Sequence, residues 1–381
     1  MELYGKKYRV DELRKRVGNP DQIAGVRLVQ FDDGNERASR AALLHTGAGL
    51  ELTVALDRGM DITSASYNGR AMGWRSTTGD VAPPYFEPEG IRWLRSFPGG
   101  LVTTCGLTQA GAPAPGSELS GKGLHGRIGH IPAHNLKVSQ GWEDGKYVVS
   151  ITGEMRETAV FFENLVLTRT VTTILGEKRF WIHDVVTNEG FKETPYMLLY
   201  HCNIGWPALD AGSRMIAPTR KIAPRDATAA DGKERYHLMD APTHGYAEKC
   251  YYHDMVPDRQ GKVTVALLND GFSRSEGFGV YVKYDHAQLP RFVEWKQMGE
   301  QDYVLGFEPC NCGIEGRHID EELGLLHTLK PGESRSFDLE FGAVTDPAEA
   351  VALEKRIARA TPKFVSSYRE FVSRPKRGKR K

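Results

Sequence analysis

Between residues 25 and 345 one pattern recurs: a run of six to ten residues alternates apolar and polar, and a glycine or asparagine ends it. Side chains of an extended strand point to opposite faces in turn, so period two marks strands with one face buried and one wet. Residues 25–30, 50–56, 147–152, 165–174 and 179–187 read this way, as do 263–268, 278–284 and 334–341. The alternation favours antiparallel pairing, because parallel strands are covered on both faces and read as continuous apolar runs. Two stretches carry helical spacing instead. Val10–Val17 is partly helical and stops at Gly18-Asn19-Pro20, and Ala348–Ala358 is amphipathic and opens at Asp346-Pro347. With 41 glycines and 20 prolines for turns, and no internal repeat or linker, the expected fold is all-β. It is a large antiparallel β-sandwich with a few short helices. The expected organisation is an N-terminal extension (1–24), one sandwich domain (25–345), a C-terminal helix packed on it (346–373) and a disordered basic tail (374–381).

The formal charge of the 381-residue chain is +1, but its last eight residues hold six lysines and arginines. Removing them leaves a body of −5 (1 − 6 = −5), which offers no nucleic-acid surface. No apolar run suits a secretory leader or a bilayer span, so the chain is expected to be cytoplasmic, with no membrane partner. Five scattered cysteines, an odd number, fit a reducing compartment. Cys310-Asn311-Cys312 lacks the spacing of a zinc knuckle, and the cysteines read as buried fillers.

Three polar residues stand out by context. His125 lies among Gly123, Gly126 and Gly129, where missing side chains leave room for a ligand. His201 ends the apolar run Tyr196–Tyr200 and precedes Asn203, and a polar group ending a buried strand needs a partner. Glu308 follows Tyr303–Phe307 in the same manner and precedes Pro309, so partial desolvation raises its pKa towards the range of a general base. Two imidazoles and a carboxylate suit proton transfer between two oxygens of one substrate. The segment Thr108–Gly123, leading into His125, reads as a solvent-exposed connector, with a flexible lid as the other reading.

In order and spacing, Leu124-His125-Gly126, His201-Cys202-Asn203 and Glu308-Pro309 resemble the galactose mutarotase (aldose 1-epimerase) superfamily. The likeness spans residues 25–345, and Arg58-Gly59-Met60-Asp61-Ile62 is similar to an epimerase-like branch of that superfamily whose substrate is uncertain. The resemblance implies a β-supersandwich with an open cleft. It also implies Glu308 as general base, His201 as general acid and His125 as a hydrogen-bond donor near the ring oxygen. It implies no metal and no cofactor, because each step is a proton transfer at a hemiacetal. The chain departs from the family in two places: a mid-chain aspartate is matched only by Asp254, in Tyr251-Tyr252-His253-Asp254, and Asn203 is followed by an unusual Ile204-Gly205-Trp206-Pro207.

Sugars present hydroxyl belts and apolar faces, so planar polar groups beside aromatics are the expected contacts. The substrate-binding candidates are Arg58, Asp61, Trp74, Arg75, Trp93, Arg95, Cys105, Arg127, Asn203, Asp254, Trp295, Lys296 and Gln297. For the tryptophans core packing competes with a site, and for Arg58 a surface ion pair does. The number of cations hints at an acidic or phosphorylated sugar. The expected partner is therefore a carbohydrate, with a homodimer as a further expectation. Two other functions compete: an isomerase or lyase acting on an oxidised or keto sugar, with or without a metal, and a non-catalytic sugar-binding domain.

Overall fold

The computed structural model describes residues 1–114, 123–273, 276–357 and 361–373; the expected tail at 374–381, and part of the 108–123 connector, lie outside them. The alternating runs become strands at Gly25–Gln30, Leu50–Ala55, Lys146–Thr158, Asn164–Ile174, Arg179–Asn188, Lys262–Asn269, Phe278–Asp285 and Ser334–Val344. Two eight-stranded sheets and one five-stranded sheet hold most of them.

The first sheet, called the site sheet below, runs Thr103–Leu107, Thr194–Ile204, Tyr303–Cys310, Arg291–Met298, Lys249–Met255, Thr219–Pro224 and Lys363–Phe364. His327–Leu329 pairs with the outer half of Thr194–Ile204. Every pairing is antiparallel except the last, where Lys363–Phe364 lies parallel to Thr219–Pro224. The second, the back sheet, runs His134–Glu143, Lys146–Thr158, Asn164–Ile174, Arg179–Asn188, Ser334–Val344, Phe278–Asp285, Lys262–Asn269 and Arg214–Ile216.

The main core lies between them. Tyr200, Cys202, Phe292, Leu305 and Phe307 come from the site sheet, and Val263, Val265, Val282, Leu339 and Phe341 from the back sheet. Each such side chain taken from water contributes about 1.5–3 kcal/mol, which fixes strand register, since a one-residue slip would turn the apolar set outward. Leu3, Leu13 and Ile23, from the N-terminal extension, are buried in this same core.

The first helix is only Val10–Arg14, shorter than the sequence pattern, because Gly18 and Pro20 follow within two turns. The C-terminal helix is Pro347–Arg356, and the Asp346 carboxylate caps it by accepting from the Ala348 amide at 2.8 Å. Its Leu353, with Ile357 just beyond, packs on Ala266, Leu268, Tyr281 and Val344, the outer face of the back sheet. The outer face of the site sheet carries a different cluster: Leu199, Val293 and Cys310 with Trp93, Phe97, Tyr368 and Phe371. All five cysteines are buried with free thiols. No helix among the described residues is long and apolar enough to cross a membrane.

Candidate active site

Pairing of the central strands sets Leu199 opposite Cys310 and Cys202 opposite Phe307, so the same register puts His201 opposite Glu308. His201 Nε2 lies 3.3 Å from Glu308 Oε1. Both side chains leave the outer face of the site sheet, while their neighbours Tyr200, Cys202 and Phe307 enter the core. Phe307 and Pro309 are therefore not what dries the carboxylate, since strand neighbours point the other way. Enclosure on the outer face does that. Glu308 is 2% exposed and His201 5%.

Burial drives the electrostatics. It raises the Glu308 carboxyl well above the ordinary carboxylate range, with Cys310 and Glu248 adding to the rise and Arg225 opposing it. It lowers His201 to about 4, although the hydrogen bond to Asn203 and the Glu248 charge pull the other way. The tautomer of His201 follows from its partners. Asn203 donates its amide N–H to the His201 carbonyl at 2.9 Å, so its Oδ1, 2.5 Å from His201 Nδ1, accepts. Nδ1 carries the hydrogen, Nε2 is left as the acceptor, and the protonated Glu308 carboxyl donates to it. The pair holds one proton between two bases.

His125 stands across from this pair. Its ring centroid is 5.5 Å from that of His201 and 4.8 Å from Trp93. The Gly111 amide donates to His125 Nδ1 at 3.4 Å, which leaves Nε2 as an N–H donor. Burial, then the nearby His201, holds its pKa well below the usual imidazole value, so it stays neutral. The surrounding glycines serve chain packing rather than ligand access. A side chain on Gly126 would meet the Gln109 carbonyl at 2.2 Å, and one on Gly129 the Thr104 carbonyl at 3.0 Å. The glycine that does make room for the chemistry is Gly306, where an added Cβ would lie 2.9 Å from Trp295 Cβ and 3.1 Å from Glu308 Oε1.

Aromatic rings wall the site. Phe97 and Trp295 lie 5.3 and 5.2 Å from His201, and Trp74 lies 5.9 Å from Phe97 and 6.3 Å from Trp295. Trp295 Nε1 donates to Glu248 at 2.7 Å, and Glu248 in turn accepts from Arg225 at 2.9 Å. Arg225 also donates to Asp226 at 3.1 Å. Sequence reading passed over Arg225 and Glu248. Their only signal is parity: Glu248 keeps step with Cys250 and Tyr252, which face the site, and that is useful only once the sheet order is known.

Of the candidate binding residues, Trp74, Trp93, Asn203 and Trp295 join this assembly. Gln297 shares the parity of Trp295 and accepts from the Gly299 amide at 2.9 Å, further along the strand. Cys105 lies fully buried in the cluster beneath. Lys296 does not join it: alternation turns it to the far face, where it donates to the carbonyls of Arg235 and Leu238. Arg58 is sealed at 1% exposure and donates to the Val81 and Ser96 carbonyls at 2.6 and 2.7 Å. Asp61, fully buried, accepts from Thr104 and from Arg169. Burial raises its pKa to about 6 against the pull of Arg169. The Arg58–Ile62 segment is thus a buttress behind the site. Gly59, expected to admit a ligand, instead admits the Ile128 carbonyl, 3.0 Å from where its Cβ would be.

Asp254 is ion-paired with Arg220 at 2.7 Å near the end of its strand. Arg75 pairs with Asp80 at 3.0 Å, Arg95 is exposed and faces Glu87 at 3.7 Å, and Arg127 is exposed. Among the described residues no three His, Cys, Asp or Glu side chains cluster closely enough to hold a metal ion.

The sequence matches a family model described as "Domain of unknown function (DUF4432)" over residues 36–343. No curated protein matches the chain. Among solved structures, a Klebsiella pneumoniae protein named a putative aldose 1-epimerase is similar at TM-score 0.84 and 26% identity, covering 92% of this chain and 93% of its own. A galactose mutarotase-like protein from Clostridium acetobutylicum gives TM-score 0.57 at 12% identity, over 85% and 99%. The galactose 1-epimerase of Lactobacillus acidophilus gives 0.52 at 14%, over 85% and 99%. The latter two likenesses are of fold.

Proposed function

The chain belongs to the DUF4432 family, within the galactose mutarotase-like superfamily, and from that premise we propose that it is a sugar 1-epimerase acting on a neutral pyranose. The observation that carries the reading is the approach of His201 Nε2 to Glu308 Oε1, 3.3 Å apart, a geometry in which the two bases can share one proton. Mutarotation exchanges protons between two oxygens of one carbon, and a pair of bases with one proton between them suits that step.

With the proton on His201, Glu308 takes the proton of the anomeric hydroxyl while His201 Nε2 protonates the ring oxygen. The C1–O5 bond breaks and the open aldehyde forms. Glu308 is now protonated and His201 neutral. Rotation about C1–C2 presents the other carbonyl face. His201 then takes the proton from O5–H as that oxygen attacks C1, and Glu308 returns its proton to the carbonyl oxygen. The starting protonation state is restored with the opposite anomer formed. His125, a neutral N–H donor, stabilises charge developing on the ring oxygen. Phe97, Trp74 and Trp295 face the apolar side of the ring, and Glu248 accepts from sugar hydroxyls.

Charge supports a neutral substrate. Arg225, a cation close to the pair, is held by Glu248 and Asp226, while Arg58 is sealed, Arg75 is paired with Asp80 and Lys296 is turned to the far face. An acidic sugar would bring an anion towards Glu248, whose neighbouring cation Arg225 is already paired.

The test is anomer exchange followed by polarimetry and by NMR, over neutral aldoses, ketoses, uronates and sugar phosphates. Exchange should accelerate for a neutral aldose and fall by about 10²–10⁴-fold in Glu308→Gln. Equal rates with wild type, Glu308→Gln and no protein for every sugar would refute the proposal.

A further inference from the structure

The outer face of the back sheet carries a second concavity, on the opposite layer of the sandwich from His201 and Glu308. It is a groove of about 750 Å³ between the Pro347–Arg356 helix and strands Lys262–Asn269, Phe278–Asp285 and Ser334–Val344. That volume lies in the range of small-molecule sites. Six basic and four acidic side chains line it. The chain outside its basic tail carries a net −5, so a basic groove stands against the general charge of the molecule.

Pairing sharpens the imbalance. Lys178, Arg179 and Lys262 each have a carboxylate at 2.5, 2.8 and 3.0 Å. Lys283, Arg259 and Arg356 have no ion-pair partner among the described residues. Lys283 is half-buried and lines the groove, and strand register sets it between Thr264 and Glu340. Glu340 is the obvious counter-ion, yet its oxygens are taken. Tyr281 O–H donates to one at 2.6 Å and Trp181 Nε1 to the other at 3.0 Å. Tyr281 reaches it by lying over Gly342, where an added Cβ would sit 2.5 Å from the ring. No ion pair joins that carboxylate to Lys283 among the described residues, and Lys283 and its cross-strand neighbour Thr264 both line the groove.

A half-buried ammonium and two exposed arginines, none of them ion-paired among the described residues, suit a multiply charged anion bound from solution. We propose that this groove is a second ligand site, for a compact metabolite bearing a phosphate or diphosphate group. Lys283 and the Thr264 hydroxyl meet the phosphoryl oxygens at the floor. Arg259 and Arg356 close on them from the loop and the helix.

Inorganic pyrophosphate titrated into the full chain by calorimetry tests the proposal, with orthophosphate, a hexose phosphate and the free hexose in parallel. Saturable one-to-one binding of pyrophosphate is expected, weakened at least tenfold by Lys283→Met and by the exposed Arg259→Gln. Arg220→Gln, a surface cation on the site sheet, should leave affinity unchanged. Binding of the hexose phosphate should weaken in Lys283→Met, whereas binding of the free hexose, which belongs to the first site, should not. Anomer exchange at the first site should persist in Lys283→Met, with unaltered melting temperature. No saturable binding, equal affinity in Lys283→Met, or an equal loss in Arg220→Gln would each overturn it.

Discussion

Tyr200 and His201 are adjacent on one strand and serve opposite faces of the sheet: the Tyr200 hydroxyl donates to Asp184 at 2.7 Å in the core, while His201 meets Glu308 on the outer face. Asp184 is bound by Arg169 at 2.6 Å, and Arg169 also reaches Asp61 at 3.1 Å. Asp61 accepts from the Thr104 amide on the neighbouring edge strand. A buried ion network thus ties together the two strands that carry one flank of the site.

Arg169→Met strands two carboxylates in a dry interior. A loss of about 3–5 kcal/mol in unfolding free energy is expected, read by urea denaturation. A loss below ~1 kcal/mol would mean that the network is not what holds these strands.

Gly306→Ala places a methyl against Trp295 and the Glu308 carboxylate. Overpacking of this kind costs about 1–3 kcal/mol. Anomer exchange should fall more than stability does, since Glu308 must shift to relieve the contact. Thermal melting beside polarimetry separates the two.

The pair needs one proton to work. Below about 4, His201 becomes charged and no base remains. Above the raised Glu308 value both groups are bare and no acid remains. The profile of kcat/KM against pH should fall on the acid side near 4 and stay flat well past the ordinary carboxylate range before falling again. An acid limb near 6.5, the free imidazole value, would contradict the burial argument.

Glu308 also bears on stability. Its folded pKa lies above the unfolded one, so the folded state holds a proton that the unfolded chain has lost. Stability then declines as pH rises through that interval. Glu308→Gln removes the titration and should melt higher than wild type at pH 8, by on the order of 1 kcal/mol, with the gap closing at pH 4. A gap of constant size would show that the side chain's charge is not responsible.

Glu248→Gln keeps the shape of the acceptor for Trp295 and Arg225 but removes its charge. KM for the sugar should rise roughly tenfold with a smaller change in kcat, because charge-assisted bonds to hydroxyls are lost. Equal kinetics would exclude Glu248 from substrate contact.

The alternation of apolar and polar residues sufficed for the strands, because burial of one face is a local property of each run. It also sufficed for the capped C-terminal helix. His125, His201 and Glu308 were legible because each breaks its local pattern, and the structure brings them together. Partners set by pairing between distant strands were not legible. The sequence places Lys296 beside Trp295, yet a single step along a strand reverses the face, and Lys296 ends on the far side. Arg58 reads from the sequence as a substrate contact, with a surface ion pair as the competing reading, until two backbone carbonyls from other segments enclose it. Arg225 and Glu248 are unremarkable in a polar stretch and reach the site only through strand order: Glu248 precedes Lys249–Met255, the neighbour of Arg291–Met298, and Arg225 follows Thr219–Pro224, the next strand out. Local composition decides which side chains want burial; register and strand order decide which of them meet, and those depend on contacts between residues as far as 227 positions apart.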